Sequence, residues 1–114
     1  MPTLYTRRVN VKDSLSDEEV LEFWRVFMGE AVPAFRKVRG VRSVKAYSGA
    51  GALRADLTLL IEMDDAGAYE RALFDPGVRQ LLGRLYGALD LKTSTQSFRR
   101  EVTPELISAL SSTG

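Results

Sequence analysis

Four of six carboxylates crowd the first half of one short segment, ADLTLLIEMDDAGAYERALFDPGVRQLL, which runs from Ala55 to Leu82. Asp56, Glu62, Asp64 and Asp65 are of the type that does general acid–base work when one of a pair is desolvated. They are also of the type that holds a hard cation. Their spacing points elsewhere. Asp64 and Asp65 stand where an alternating pattern gives way to a helical one, which is the place of a helix cap. Asp56 and Glu62 are spaced to pair with Arg54 or with a basic group of a second chain. No catalytic residue is assigned from this set, and no metal site.

The basic residues Arg36, Lys37, Arg39, Arg42 and Lys45 could hold phosphate or nucleic acid. They straddle the end of a helical stretch, where cations complement the helix dipole. An RNA-recognition module would need base-stacking aromatics on its first and third strands. The third strand here has none, so no nucleic-acid partner is expected. The aromatic residues Phe23, Trp24, Phe27, Phe35, Tyr47, Tyr69, Tyr86 and Phe98 mostly recur at core spacing. Ligand sites are largely apolar with a few polar anchors. On that ground Asn10, Trp24, Phe27, Tyr47 and Tyr86 are the candidate pocket residues.

Absent residue types narrow the chemistry further. The chain of 114 residues has no cysteine and no histidine. Thiolate chemistry, disulfides, Fe–S clusters, Cys-type zinc sites, Ser–His dyads and His-ligated haem are therefore outside its means. No cofactor is expected. A net charge of +1 supplies no field to recruit nucleic acid or an anionic membrane. MPTLYTRRVNVK has no apolar signal-peptide core, and no run approaches a membrane span of about 20 residues. A soluble, cytoplasmic protein is expected.

The elements that must position these residues follow from periodicity. Residues 4–12 read as strand 1, with Val9 and Val11 on one face and Thr6, Arg8 and Asn10 on the other. Ser16 with Glu19 forms a capping-box signature. The apolar positions Val20, Phe23, Trp24, Phe27, Ala31, Ala34, Phe35 and Val38 then recur at helical spacing. Pro33 lies inside that helix, and its ring would press on the carbonyl of Gly29, so a kink or break is expected near 29–33. Gly40 is the expected C-terminal cap.

Residues 41–48 read as strand 2, SGAG at 48–51 as a turn, and 53–63 as strand 3. Strand 3 carries Leu53, Ala55, Leu57, Leu59, Ile61 and Met63 on one face. Asp64 or Asp65 caps a short helix, FDPG interrupts it, and Asp75 with Pro76 restarts it. Val78, Leu81, Leu82, Leu85 and Leu89 continue its stripe. Strand 4 spans 91–102. TPELISAL offers a short terminal helix capped by Thr103, and the last residues, SSTG, are expected to be disordered.

The order βαββαβ gives an α+β class, a ferredoxin-like sandwich with antiparallel sheet order 4-1-3-2. Residues 1–102 form one domain, and 103–114 a tail with a short helix. Both helical layers cover one sheet face. The other face is expected to mix Leu60 and Phe98 (or its neighbours) with Thr58, Asn10 and Gln96. A semi-polar face of that kind is covered most simply by a second copy.

The same segment resembles the dimeric α/β-barrel superfamily, and in particular its stress-responsive branch. Asp56, Leu57, Leu59, Glu62, Asp64 or Asp65, Tyr69 and Pro76 fit the branch's strand-to-helix passage. FRKVRGVRSVKAYSG is similar to its passage from helix 1 into strand 2. The resemblance covers residues 4–102 and implies a homodimer joined through the sheet face into an α/β barrel. Two functions are expected. The first, from the open sheet face and the missing reactive side chains, is binding of a small apolar or aromatic molecule between sheet and helices, or service as an assembly domain only. The second, implied by the resemblance, is cofactor-independent monooxygenase or isomerase chemistry on a phenolic or quinol-type substrate. The branch's histidines correspond to Asp75 and Val78 here. The Asn/Trp pair of the antibiotic-biosynthesis monooxygenases has no match on strand 3; Asn10 and Trp24 are its counterparts by residue type only.

Overall fold

The computed structural model describes residues 2–49 and 56–112. The expected start of strand 3 at Leu53, its face residue Ala55, the proposed partner Arg54 and the end of the SGAG turn lie outside these residues. So do the last two residues of the SSTG tail.

Four strands form one open antiparallel sheet: β1 (Thr3–Val11), β2 (Val41–Ser48), β3 (Leu57–Met63) and β4 (Leu89–Arg100). Their order is β2-β3-β1-β4, the expected 4-1-3-2 read from the other edge. Asp56 itself precedes the strand. The alternation expected of β3 is present: Leu57, Leu59, Ile61 and Met63 are buried, while Thr58 and Leu60 are half-exposed and Glu62 is exposed. Val9, Val11 and Tyr5 of β1 join them in the core.

The first helical layer comprises α1 (Asp17–Val26), a π-helical turn at Phe27–Ala31, and α2 (Val32–Arg36). Its start is the capping box read from the sequence. The Ser16 amide donates to Glu19 Oε1 at 2.9 Å, and the Glu19 amide donates to Ser16 Oγ at 3.2 Å. The bonds from the Ser16 amide and hydroxyl hold the Glu19 carboxyl below its usual pKa.

The irregularity expected at 29–33 takes the form of the π turn. There the Val32 amide reaches back five residues to the Phe27 carbonyl. This widened turn carries the chain to Pro33, which has no N–H to give and needs room against the carbonyl four residues back. A Cβ built on Gly29 meets nothing within 4 Å, so the site has no steric need for glycine. Gly29→Ala is expected to raise stability by about 0.5–1 kcal/mol through the unfolded chain's lost freedom. A chemical-denaturation midpoint at or below that of the parent would contradict it.

This layer ends at Arg36, earlier than expected. Gly40 is not the helix cap but sits in the turn into β2 at φ +91°. Its carbonyl accepts from the Asp64 amide at 2.8 Å, which ties that turn to the end of β3.

The second layer is α3 (Gly67–Phe74), α4 (Pro76–Leu85) and a 3-10 turn at Tyr86–Ala88. Asp75 caps α4 as expected, accepting from the Val78 amide at 3.0 Å with Pro76 at the first position. Leu89, read as the end of this stripe, opens β4 instead. Neither Asp64 nor Asp65 caps α3, which begins after Ala66 without a side-chain cap. Asp64 pairs with Arg42, and Asp65 lies 3.8 Å from Arg71. A cationic neighbour holds each acid where the helix start had been expected to. Beyond the sheet, α5 (Pro104–Ser112) starts at Thr103, whose Oγ1 accepts from the Leu106 amide at 3.1 Å. Ser111, expected to be disordered, is helical. No helix among the described residues is long and apolar enough to cross a membrane.

Candidate functional site

The four acids that open the sequence reading do not converge. Asp56 pairs with Arg8, Asp64 with Arg42, and among the described residues no three acids gather as a metal cradle. The basic run is likewise dispersed: the Arg36 guanidinium donates to the Val44 carbonyl, and Arg42 is committed to Asp64.

Polar and aromatic groups do converge on the helix-covered side of β1 and β4. Tyr5 lies opposite Phe98 and Arg7 opposite Gln96 in the antiparallel register. Residues directly opposite share a face. Phe98 and Gln96 therefore belong to the helix side, not to the open face where they had been expected. The Phe98 ring confirms this, lying 5.2 Å from that of Tyr5 and 5.1 Å from that of Tyr69 on α3. The Tyr5 and Tyr69 centroids are 4.4 Å apart. The three rings form a shelf at the β4 edge, with Tyr5 buried beneath and Phe98 48% exposed.

Beside the shelf the Tyr5 hydroxyl donates to Gln96 Oε1 at 2.8 Å, and the Tyr69 hydroxyl donates to that of Tyr5 at 3.4 Å. Burial pushes the Tyr5 phenol well above its ordinary pKa, and the Tyr69 hydrogen bond adds to this. Tyr5 is therefore a neutral phenol at any physiological pH. Next along β1, Arg7 Nε donates to Ser94 Oγ at 3.0 Å and Nη1 to the Tyr86 hydroxyl at 3.4 Å. Its guanidinium carbon stands 5.5 Å from the Tyr86 ring centroid, within cation–π range. Burial pulls the Arg7 pKa down, but the Tyr86 bond and the surrounding phenols outweigh it and the net shift is upward. Arg7 is permanently charged.

A β-bulge makes this arrangement. Arg8 faces Thr95, but Asn10 already faces Asp90. Between those pairs one residue of β1, Val9, stands against four of β4, 91–94. The excess lets the strand re-aim its side chains, as bulges beside sites often do. Ser94 is turned to Arg7, and Thr93 Oγ1 accepts from the Asn10 amide at 2.9 Å.

Under Arg7 and Tyr86 lies a cavity of about 30 Å³ whose walls include Phe27, Phe35, Leu57, Leu82 and Leu85. That is the scale of a single water, far below the several hundred Å³ of a ligand pocket. Of the five candidate pocket residues, Phe27 and Tyr86 line it. Trp24 packs edge-on against Phe23 and Phe27 and does not line it. Asn10 and Tyr47 are exposed; Tyr47 pairs with Thr58, and Asn10 alternates with buried Val9 and Val11. Both lie on the open side of the sheet. Tyr5 and Arg7 were missed. The signal was an arginine at the same parity as Tyr5, Val9 and Val11 in strand 1, a charge where burial is expected.

The open face carries Leu4, Thr6, Thr58, Leu60 and Ser97 at intermediate exposure, with exposed Arg8, Lys45, Glu62 and Arg99 around them. At its centre the Thr6 and Ser97 hydroxyls are 2.6 Å apart.

An open four-stranded antiparallel sheet in the order β2-β3-β1-β4, with two helical layers on one face, defines a ferredoxin-like α+β domain. Solved structures agree. A dimeric protein of unknown function and ferredoxin-like fold from Bacteroides fragilis matches with TM-score 0.73 and 16% identity, over 88% of this chain and 96% of that one. SnoaB, a cofactor-independent oxygenase from Streptomyces nogalater, matches with TM-score 0.69 and 20% identity, over 90% and 97%. An antibiotic biosynthesis monooxygenase matches with TM-score 0.72 and 12% identity, over 90% and 100%. The resemblance seen in the sequence is thus a likeness of fold to these proteins. No protein-family model and no curated protein matches the chain.

Proposed function

We propose that the protein is a homodimer that buries the open sheet faces of two copies against each other as an α/β barrel. In the same reading, each copy binds a small apolar or aromatic molecule on the aromatic shelf beside Arg7, where β1 and β4 meet the second helical layer. The observation that carries the ligand reading is the Arg7–Tyr86 and Tyr5–Gln96 network set beside the half-exposed Phe98 ring. Polar anchors at an apolar surface are the usual composition of a small-molecule site. The dimer reading is supported by the open face itself, a half-apolar centre with a charged rim. The ferredoxin-like neighbour from Bacteroides fragilis is a dimer.

Light scattering at micromolar concentration is expected to give twice the chain mass, and a clean monomer would remove the dimer. Leu60→Glu places a carboxylate on each side of the interface centre. It is expected to weaken dimerisation by about 5- to 150-fold, the roughly 1–3 kcal/mol cost of a buried unpaired polar group. Thermal shift across a panel of small aromatic compounds tests the ligand; silence across the whole panel counts against it.

A second reading, cofactor-independent oxygenation of a phenolic or quinol-type substrate, is favoured by the fold shared with SnoaB together with polar groups beside the shelf able to hold a substrate oxygen. Here the substrate anion itself would supply the electrons that reduce dioxygen. Oxygen uptake with hydroquinones is the assay. Tyr86→Phe is expected to slow it and Asn10→Ala, on the far face, to leave it unchanged. Absence of uptake across the panel removes this reading.

A further inference from the structure

Among the described residues Arg7 has no counter-charge. Their ion pairs include Arg8–Asp56, Arg25–Glu22, Arg42–Asp64, Arg71–Asp65 and Arg84–Glu30. Arg7 is in none of them, although it is less exposed than Arg8, Arg25 and Arg42. Its partners are two neutral hydroxyls, those of Ser94 and Tyr86, and the face of the Tyr86 ring.

A guanidinium presents five N–H donors in a planar fork suited to a two-oxygen anion. Among the described residues only Nε and Nη1 have partners. Gln96, opposite Arg7, spends its carbonyl oxygen on Tyr5 and has its amide N–H groups to offer. One step further along β4, about 7 Å by strand geometry, is Phe98 with Tyr69 against it. Arg7 and Gln96 thus face each other across β1 and β4, and the aromatic shelf adjoins Gln96 along β4.

We propose that Arg7 and the shelf beside it form an anion site. It takes a small aromatic carboxylate, whose two oxygens pair with Arg7 and whose ring lies against Phe98 and Tyr69. The apolar cavity beneath is too small to hold a ring, which leaves the exposed shelf to do so. This inference rests on the aromatic-binding reading above and adds to it the charge of the ligand and the residue that selects it.

Calorimetric titration of the full chain with naphthoate, with naphthalene carboxamide as the neutral isostere, and with inorganic phosphate separates the elements. Naphthoate is expected to bind at least about tenfold tighter than the amide, the lower end for a charge-assisted pair. Phosphate is expected to bind more weakly than naphthoate. Arg7→Gln should abolish the preference for naphthoate over the amide, and Arg7→Lys should retain part of it. Equal affinity for naphthoate and amide, or an unchanged preference in Arg7→Gln, overturns the anion site and leaves the aromatic reading standing. Phosphate binding as tightly as naphthoate overturns the aromatic class. Binding of neither aromatic overturns both readings. Should Arg7→Gln fail to fold, the naphthoate-to-amide ratio in the parent and in Arg7→Lys still decides.

Discussion

Tyr5→Ala is expected to lower the unfolding free energy by about 3–5 kcal/mol, the range for emptying a large aromatic from a packed core. Tyr5 is among the largest fully buried side chains. It lies on a central strand of the sheet, beneath the rings of Tyr69 and Phe98. Tyr5→Phe keeps that volume and removes only the hydroxyl. Its expected cost is about 1–2 kcal/mol, a lost hydrogen bond plus the unpaired Gln96 oxygen. Urea denaturation of the two variants separates ring from hydroxyl, and equal losses would place the whole effect in the hydroxyl network.

The hydroxyl also sets a pH dependence. Burial, then the Tyr69 bond, raises the folded-state pKa above the unfolded value of about 10. Below that value the phenol is neutral in both states and its contribution is fully present. As pH rises past it, the unfolded chain ionises while the folded chain does not, and stability falls. Tyr5→Phe should flatten that alkaline decline. A parent whose stability does not change between neutral pH and well above the tyrosine range would contradict it.

Gly40→Ala is expected to cost about 1–3 kcal/mol, although it adds a single methyl to a surface turn. The backbone there is at φ +91°, where residues with a Cβ are strained. The Cβ would lie 2.7 Å from Arg71 Nη2 and 3.0 Å from Ala68 Cβ. Arg71 can swing its fork aside, but its Nε donates to the Arg39 carbonyl, and Ala68 is wholly buried on α3. Gly40→Ala should therefore be milder in an Arg71→Ala background without becoming neutral, since the backbone strain and the Ala68 contact remain. A melting curve unchanged from the parent would show that the turn relaxes.

Strong repeating patterns were legible in the sequence and weak ones were not. The alternation of Leu57, Leu59, Ile61 and Met63 announced the buried face of the sheet, and the element order announced its topology. The Ser16–Glu19 and Asp75–Pro76 caps were readable because each is local, with partners three residues apart. Asp64 and Asp65 carried the same local signature, but tertiary pairing with Arg42 and Arg71 claimed them. The face of Phe98 was misjudged because β4 is rich in Ser and Thr and shows no clear alternation. Its parity is set by pairing to β1, across more than ninety residues of chain. The candidate site was half legible for a related reason. Phe27 and Tyr86 stood out by type, whereas Arg7 is diagnostic only once its strand parity is taken seriously. No local pattern reveals the four residues of β4 that stand against Val9.

That excess in β4 also bears on how copies of this protein meet at high concentration. A sheet grows by adding a strand to a free edge, and both edges here are interrupted. β4 loses its register across 91–94, and β2 slips at Arg42 between Val41 and Ser43. A strand from another molecule would find a regular stretch of only six residues on each edge, Ser43–Ser48 on β2 and Thr95–Arg100 on β4. The interruptions shorten both edges, a common guard against edge-to-edge pairing. Straightening β4 by removing the surplus residues would do more than misplace Ser94. It would give the molecule a longer regular edge and so a larger template for pairing with another copy.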